Sequence, residues 1–237
     1  MQSGPADTKN NASVFAAFSI SLAFLGSLFR TAIDRDRLDN LRRTKIIEDW
    51  PVKSSDPDTP SGISYIVRFF GDNPLEEEVR LKEDFARLFV GPGNPTAPPY
   101  ESLYLGKEKI LFEAPTLNVR HFYRKFHLQI RDLNKIPDDH IGFELAFLSE
   151  ICSQLQHGSN EDIQKLTGAL RRFLDSHILL WSDQFADLVI EHARTDFYRG
   201  TAFLLKGTLR SLDLFMKESV ETVHSSGPLT ARITKKD

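Results

Sequence analysis

A proline-rich stretch in the first half of the chain restricts its fold most strongly. It runs from residue 88 to residue 105 and reads LFVGPGNPTAPPYESLYL. Each of its four prolines fixes φ and lacks an amide hydrogen, so the stretch can neither continue a helix nor pair along a sheet. We therefore predict a shaped loop between two helices, which delivers Tyr100 and Tyr104 one helical turn apart. The simpler interpretation is a connector whose tyrosines cover the core.

Apolar residues recur at spacings of three and four along most of the remaining chain, which is typical of amphipathic helices. A clear example follows Pro137 and consists of Ile141, Leu145, Leu148, Cys152 and Leu155. The segment 62–70 has the composition of a strand, but no second segment could pair with it, so it is predicted to be helical. Asp72, Asn73 and Pro74 have the composition of another helix start.

These patterns predict an all-α fold, a single-domain helical bundle. Residues 1–11 are polar and predicted to be disordered, residues 12–220 form the helical domain, and residues 221–237 form a polar flexible tail. Residues 12–29 carry no charge but lack the flanking pattern of a secretory signal. A buried first helix without stable membrane insertion is predicted, with a short membrane span as the alternative.

Composition excludes several classes of function. A net charge of -3 gives no attraction to nucleic acid. Cys152 is the single cysteine, so no internal disulfide can form, and its place on an apolar helical face indicates a packed side chain in a reducing compartment. The phosphate-binding patterns GxxxxGK[ST] and GxGxxG are absent, and no cofactor is predicted.

Asp139, His140 and Glu144 are the best candidates for a chemical site. His140 and Glu144 are four residues apart, so they share one face of the predicted helix. A metal site would need further ligands that no second cluster provides, and acid–base catalysis would need a nucleophile or pocket that the sequence does not show. In the structural interpretation, Asp139 caps the helix and His140 lies at the edge of the core. In the binding interpretation, the carboxylates face a cationic partner.

Three blocks of sequence together resemble the TorD/DmsD/NarJ family of redox-enzyme maturation chaperones. They are the LFVGP to PPYESLYL stretch, IPDDHIGFELAFL at 136–148, and FLDSHILLWSDQFADLVIEHARTDFYRGTAFLL at 173–205. The segment 111–126, LFEAPTLNVRHFYRKF, further resembles the DmsD branch. The blocks and the segments that join them cover residues 75–215.

The resemblance implies a cytoplasmic chaperone rather than an enzyme. Its implied partner is the twin-arginine signal peptide of a molybdopterin-dependent oxidoreductase precursor, which it would hold back from export until the molybdenum cofactor is inserted. The cofactor-insertion machinery is a further candidate partner. The family's peptide-binding positions fall on Leu88, Phe89, Pro99, Tyr100, Tyr104, Asp139 and His140.

A groove walled by these residues, with Asp138 and Glu144 nearby, would suit such a peptide. Its apolar walls would take the peptide's apolar segment, and its carboxylates would pair with guanidinium groups. DmsD-type members often have tryptophans where this chain has Gly93, Tyr100 and Tyr104. Two other functions stay open: an enzyme or metal-binding protein that uses Asp139, His140 and Glu144, and a structural subunit of a redox complex.

Overall fold

The computed structural model describes residues 5–71, 77–130, 136–158 and 160–225, and these residues contain ten α-helices. The helices are α1 Pro5–Arg30, α2 Arg35–Thr44, α3 Asp58–Phe70, α4 Glu77–Phe85, α5 Ser102–Leu105, α6 Ala114–Arg124, α7 Ile141–Leu155, α8 Asn160–Ser176, α9 Ser182–His192 and α10 Asp196–Ser225. A π-helical turn, Ala86–Val90, follows α4, and a 3₁₀ turn, Ile178–Leu180, precedes α9.

The all-α prediction is confirmed, because the described residues contain helices and one isolated β-bridge but no strand. The prediction of a helix at 62–70 is also confirmed by α3. The predicted helix start at 72–74 lies outside the described residues. Residues 5–11 and 221–225 are helical, although the sequence assigned them to a disordered end and a flexible tail.

One helix is shorter than its sequence pattern indicated. The sequence from residue 117 to residue 130 is predicted to form one helix, but α6 ends at Arg124. Its end is followed by a turn in which His127 has a φ of 57°. This left-handed conformation cannot continue a right-handed helix, so the apolar residues beyond it belong to an irregular segment.

The first helix is buried against α7, as predicted. Leu22, Leu25 and Phe29 of α1 are fully buried. The two helices approach closely at Gly26 and Gly142: a Cβ on Gly142 would lie 2.7 Å from the Gly26 carbonyl oxygen. Residues 11–30 also have the length and composition of a membrane span, and 44% of that window is buried inside the protein. The uncharged stretch thus serves as a core helix in this structure.

A second close crossing joins α3 to α10. A Cβ on Gly62 would lie 2.7 Å from the carbonyl oxygen of Gly200, and one on Gly200 would lie 2.6 Å from that of Gly62. Asp84 at the end of α4 fixes the start of α10, since its carboxylate accepts hydrogen bonds from the Arg194 and Thr195 amides. These contacts assemble a second helical layer beside the α1–α7 pair.

The proline-rich loop folds back onto the π-helical turn that precedes it. The Gly91 amide donates to the Ala86 carbonyl at 2.7 Å, and Gly91 has a φ of 101°, which favours glycine. The Ala97 amide then donates to the Leu88 carbonyl at 2.9 Å, and Ala97 is fully buried. The loop is therefore fixed at both ends before it reaches Tyr100.

Candidate functional site

A short antiparallel bridge brings two of the sequence blocks together. Tyr100 pairs with His140: the Ile141 amide donates to the Pro99 carbonyl at 2.8 Å, and the Glu101 amide donates to the Asp139 carbonyl at 3.0 Å. The rings of Tyr100 and His140 meet edge to face with centroids 5.1 Å apart. The end of the proline-rich loop and the start of α7 thus form one unit, although 40 residues separate them in sequence.

The buried carboxylate of Asp139 stabilises this unit through hydrogen bonds. Its side chain is fully buried and accepts two hydrogen bonds at 2.7 Å, one from the Ser102 amide and one from the Thr116 hydroxyl. Ser102 begins α5 and Thr116 lies in the first turn of α6. A single carboxylate therefore holds three elements in register.

Asp138 is also occupied within the protein. Its carboxylate pairs with Arg120, which donates to it from Nε at 2.9 Å and from Nη2 at 2.7 Å. The Asp138 carbonyl accepts a further bond from the Tyr123 hydroxyl at 3.2 Å. Both Asp138 and Asp139 thus point into the protein, and neither faces open solvent.

The N-cap of α7 differs from the structural interpretation of the sequence, which gave that role to Asp139. The cap is His140, whose Nδ1 accepts from the Gly142 amide at 3.0 Å. Burial and the nearby Arg30 charge lower the pKa of His140 to about 3. The imidazole is therefore neutral and can accept this bond. Asp139 is unavailable because its carboxylate is satisfied by Ser102 and Thr116.

A buried acidic cluster lies behind the bridge and includes residues that sequence reasoning did not select. Glu144 is fully buried, and the Trp181 indole donates to it at 3.4 Å. Glu101 is also buried, with His177 Nδ1 3.2 Å from both of its oxygens. Burial raises the pKa of both carboxyls, and their proximity to each other and to Asp139 adds to the rise at Glu144. His177 and Trp181 lie in the third block, within FLDSHILLWSDQF. The resemblance of that block to the family was the sequence signal that could have identified these two residues.

The aromatic members of the predicted site form successive layers. The Tyr104 ring is half-buried, its hydroxyl donates to the Pro98 carbonyl at 2.9 Å, and its ring contacts Trp181 at 5.1 Å. Trp181 in turn contacts Phe185, which contacts Phe89. Phe89 therefore lies in the core behind Tyr104. Leu88 and Pro99 are also buried.

An open cleft adjoins this site on the α1 side of α7. It has a volume of about 430 Å³ and is mostly apolar. The lining residues are Arg30, Tyr123, Leu128, Gln129, Ile130, Ile136, Phe143, Ala146, Phe147 and Glu150. Phe143 joins the cleft to the site, because its ring lies 5.6 Å from that of His140. Sequence periodicity could not reveal this cleft, since its walls come from three separate segments.

Among the residues that the structure describes, the lining of the cleft includes one cationic side chain and one carboxylate. The Arg30 guanidinium lies 5.8 Å from the Phe143 ring centroid, and its Nε donates to the Gly26 carbonyl. Glu150 is exposed and accepts from the Gln154 amide at 2.9 Å. Among the described residues, no group of three or more His, Cys, Asp and Glu side chains is arranged to hold a metal ion. The geometry is that of a mostly apolar cleft with charged side chains at its rim.

Comparisons with a family model, with curated proteins and with solved structures each find proteins to which this chain is similar. The family model described as "Nitrate reductase delta subunit" matches residues 56–187. The chain is 26% identical to the chaperone protein TorD of Aliivibrio salmonicida, over 77% of this chain and 86% of that protein. It is 26% identical to the Tat proofreading chaperone DmsD of Salmonella typhimurium, over 81% of this chain and 87% of that protein. A crystal structure from Archaeoglobus fulgidus, provisionally assigned as a redox enzyme maturation protein, has a TM-score of 0.47 and 21% identity, over 79% of this chain and 91% of that one.

Proposed function

This chain belongs to the TorD/DmsD family of redox-enzyme maturation chaperones, and we propose that it binds the twin-arginine signal peptide of a molybdoenzyme precursor. Binding would occur in the cytoplasm, before export. A bound signal peptide cannot engage the export machinery, so the precursor would be held back until its molybdenum cofactor is inserted. The relatives that are named as chaperones support a role without catalysis.

The observation that carries this proposal is the continuity between the bridged site and the apolar cleft. A signal peptide of this class places two arginines before an apolar segment, and an apolar helix face fits a groove lined by aromatic and aliphatic side chains. Phe143 and Phe147 would contact the apolar segment. Tyr100 and His140 would form the adjoining wall.

The predicted acidic residues take a different part in this proposal. Asp138 and Asp139 are engaged by Arg120, Ser102 and Thr116, so they position the wall from behind. Among the described lining residues, Glu150 is the exposed carboxylate, and it is proposed to pair with an arginine of the peptide through charge-assisted hydrogen bonds.

Calorimetric titration of the purified chain with a synthetic twin-arginine signal peptide tests this proposal. We expect micromolar affinity, about -8 kcal/mol. Phe143→Ala should weaken binding about tenfold, because it removes apolar contact area that the peptide would cover. Phe203→Ala is the matched control, since Phe203 is also half-buried but stacks on Tyr65 at the α3–α10 contact.

Changing both peptide arginines to alanine should weaken binding to the native chain. The same change should cost less in Glu150→Gln, because the proposed partner is then uncharged. Unchanged affinity in both Phe143→Ala and Glu150→Gln, with melting temperatures that show folded protein, would reject the cleft as the binding site.

A further inference from the structure

A second pocket lies one helical turn further along α7 and differs from the cleft in charge. It has a volume of about 370 Å³. Its walls are the segment after α6, the end of α7 and the first turn of α8. Gln154 marks the boundary, because it lines this pocket while its amide donates to Glu150 of the cleft. The two hollows are therefore neighbours with separate linings.

Basic side chains dominate the lining of this second pocket. Lys125, His127, His157 and Lys165 all contribute, and Asp162 is the acid among the lining side chains that the structure describes. All four basic side chains are exposed, so their nitrogen atoms are accessible from solvent. This concentration of basic groups stands out on a chain whose net charge is -3.

An aromatic pair supports the two lysines. The rings of Phe122 and Phe126 stack with centroids 5.9 Å apart. The Lys125 ammonium lies 5.6 Å from the Phe122 centroid, and the Lys165 ammonium lies 6.0 Å from the Phe126 centroid. Cation–π contacts of this kind restrict long side chains without neutralising them. Both lysines are exposed, so their ammonium groups are accessible to a ligand from solvent.

The backbone adds to this positive potential. The first turn of α8, a helix of 17 residues, contributes Asp162 to the pocket, and the positive end of its dipole lies there. Ammonium groups are point charges that donate hydrogen bonds to phosphate oxygens in several directions. The Phe126 ring is covered by Phe122 and approached by Lys165, so it offers little surface on which a planar group could stack.

We propose that this basic pocket binds a compact polyanion, namely a small molecule with several phosphate groups, through Lys125 and Lys165. His127 and His157 would donate further hydrogen bonds to its oxygens. The site is separate from the proposed peptide cleft, because the two pockets share no lining residue.

Titration of the full chain with inorganic tripolyphosphate, at constant ionic strength, tests the proposal. The native chain should bind one equivalent. The double variant Lys125→Gln/Lys165→Gln should bind at least about tenfold more weakly. The control variant Lys53→Gln/Lys107→Gln removes the same charge from two exposed loop lysines and should bind within about twofold of the native chain.

Circular dichroism should show the same fold in both variants, because all four lysines are exposed. No binding of tripolyphosphate to the native chain would overturn the proposal. Equal weakening in the two double variants would also overturn it, since it would indicate attraction to overall charge and not to the basic pocket. Neither result would bear on peptide binding, which is measured separately with Phe143→Ala.

Discussion

Asp139→Asn is predicted to destabilise the protein even when no ligand is present. The buried carboxylate accepts two hydrogen bonds at 2.7 Å, from the Ser102 amide and the Thr116 hydroxyl. An asparagine can keep both partners only if its oxygen accepts from Ser102 and the Thr116 hydroxyl rotates to accept from its amide. Both bonds then lose their charge assistance.

The size of the effect follows from these two bonds. A hydrogen bond to a charged group contributes about 1.5 to 3 kcal/mol, and a neutral one contributes about 1 kcal/mol. The Asp139 charge also raises the pKa of the buried Glu101 and Glu144, so its removal offsets part of the loss at a pH where these carboxyls are ionised. We therefore expect a loss of about 2 kcal/mol, which corresponds to a fall of about 4 to 8 °C in melting temperature for a chain of this size.

Thermal and urea unfolding measure this prediction, and Thr116→Val supplies the control. The valine keeps the shape of the side chain but donates no bond. The loss in the double variant should be smaller than the sum of the two single losses, because each single change already weakens or breaks the bond that the two side chains share. Full stability of Asp139→Asn, or additive losses in the double variant, would refute the bonding described for Asp139.

Three further predictions concern neighbouring positions. Burial raises the pKa of Glu144, so the folded chain holds a proton that the unfolded chain releases, and stability falls as pH rises above the usual glutamate range. Between pH 5 and pH 8, the unfolding free energy of Glu144→Gln should fall less than that of the native chain. Equal slopes of unfolding free energy against pH in the two proteins would contradict this. The pKa of His140 is lowered to about 3, so stability falls by up to about 1.4 kcal/mol per pH unit as pH drops from about 6.5 toward 3. His140→Asn retains a cap and should remove that slope, which acid titration of unfolding would test. Gly142→Ala should cost about 2 kcal/mol or more in urea unfolding, because its Cβ would lie 2.7 Å from the Gly26 carbonyl oxygen. Gly158→Ala is its control, with nearest contacts of 3.4 Å, and equal losses would refute the argument.

Local sequence patterns predicted most of the fold because helices are local structures. The spacing of Ile141, Leu145 and Leu148 predicted α7, and all three are fully buried. The prolines predicted a loop, and the bridge from Tyr100 to His140 joins the two blocks on which the predicted site was built. The site residues and the domain boundaries themselves stay predictions.

The side-chain roles that local sequence patterns did not predict depend on residues that are distant in sequence. Aspartate is a common N-cap, so the sequence favoured Asp139 for that role. The structure gives the role to His140, because the Asp139 carboxylate meets the Ser102 amide from 37 residues earlier in the chain. Likewise Glu101 was not selected, since only folding brings it against His177.

The pair of Arg120 and Asp138 bears on how an arginine-bearing peptide would be recognised. A buried carboxylate accepts a guanidinium well, and Asp138 already has one from its own chain. A peptide arginine could take that position only by displacing Arg120, and breaking a buried ion pair is costly. An exposed carboxylate such as Glu150 carries no such cost, because water solvates it until the peptide arrives. Under the proposed function, we therefore expect selectivity for arginine to arise at the rim of the cleft, with the buried acids shaping its wall.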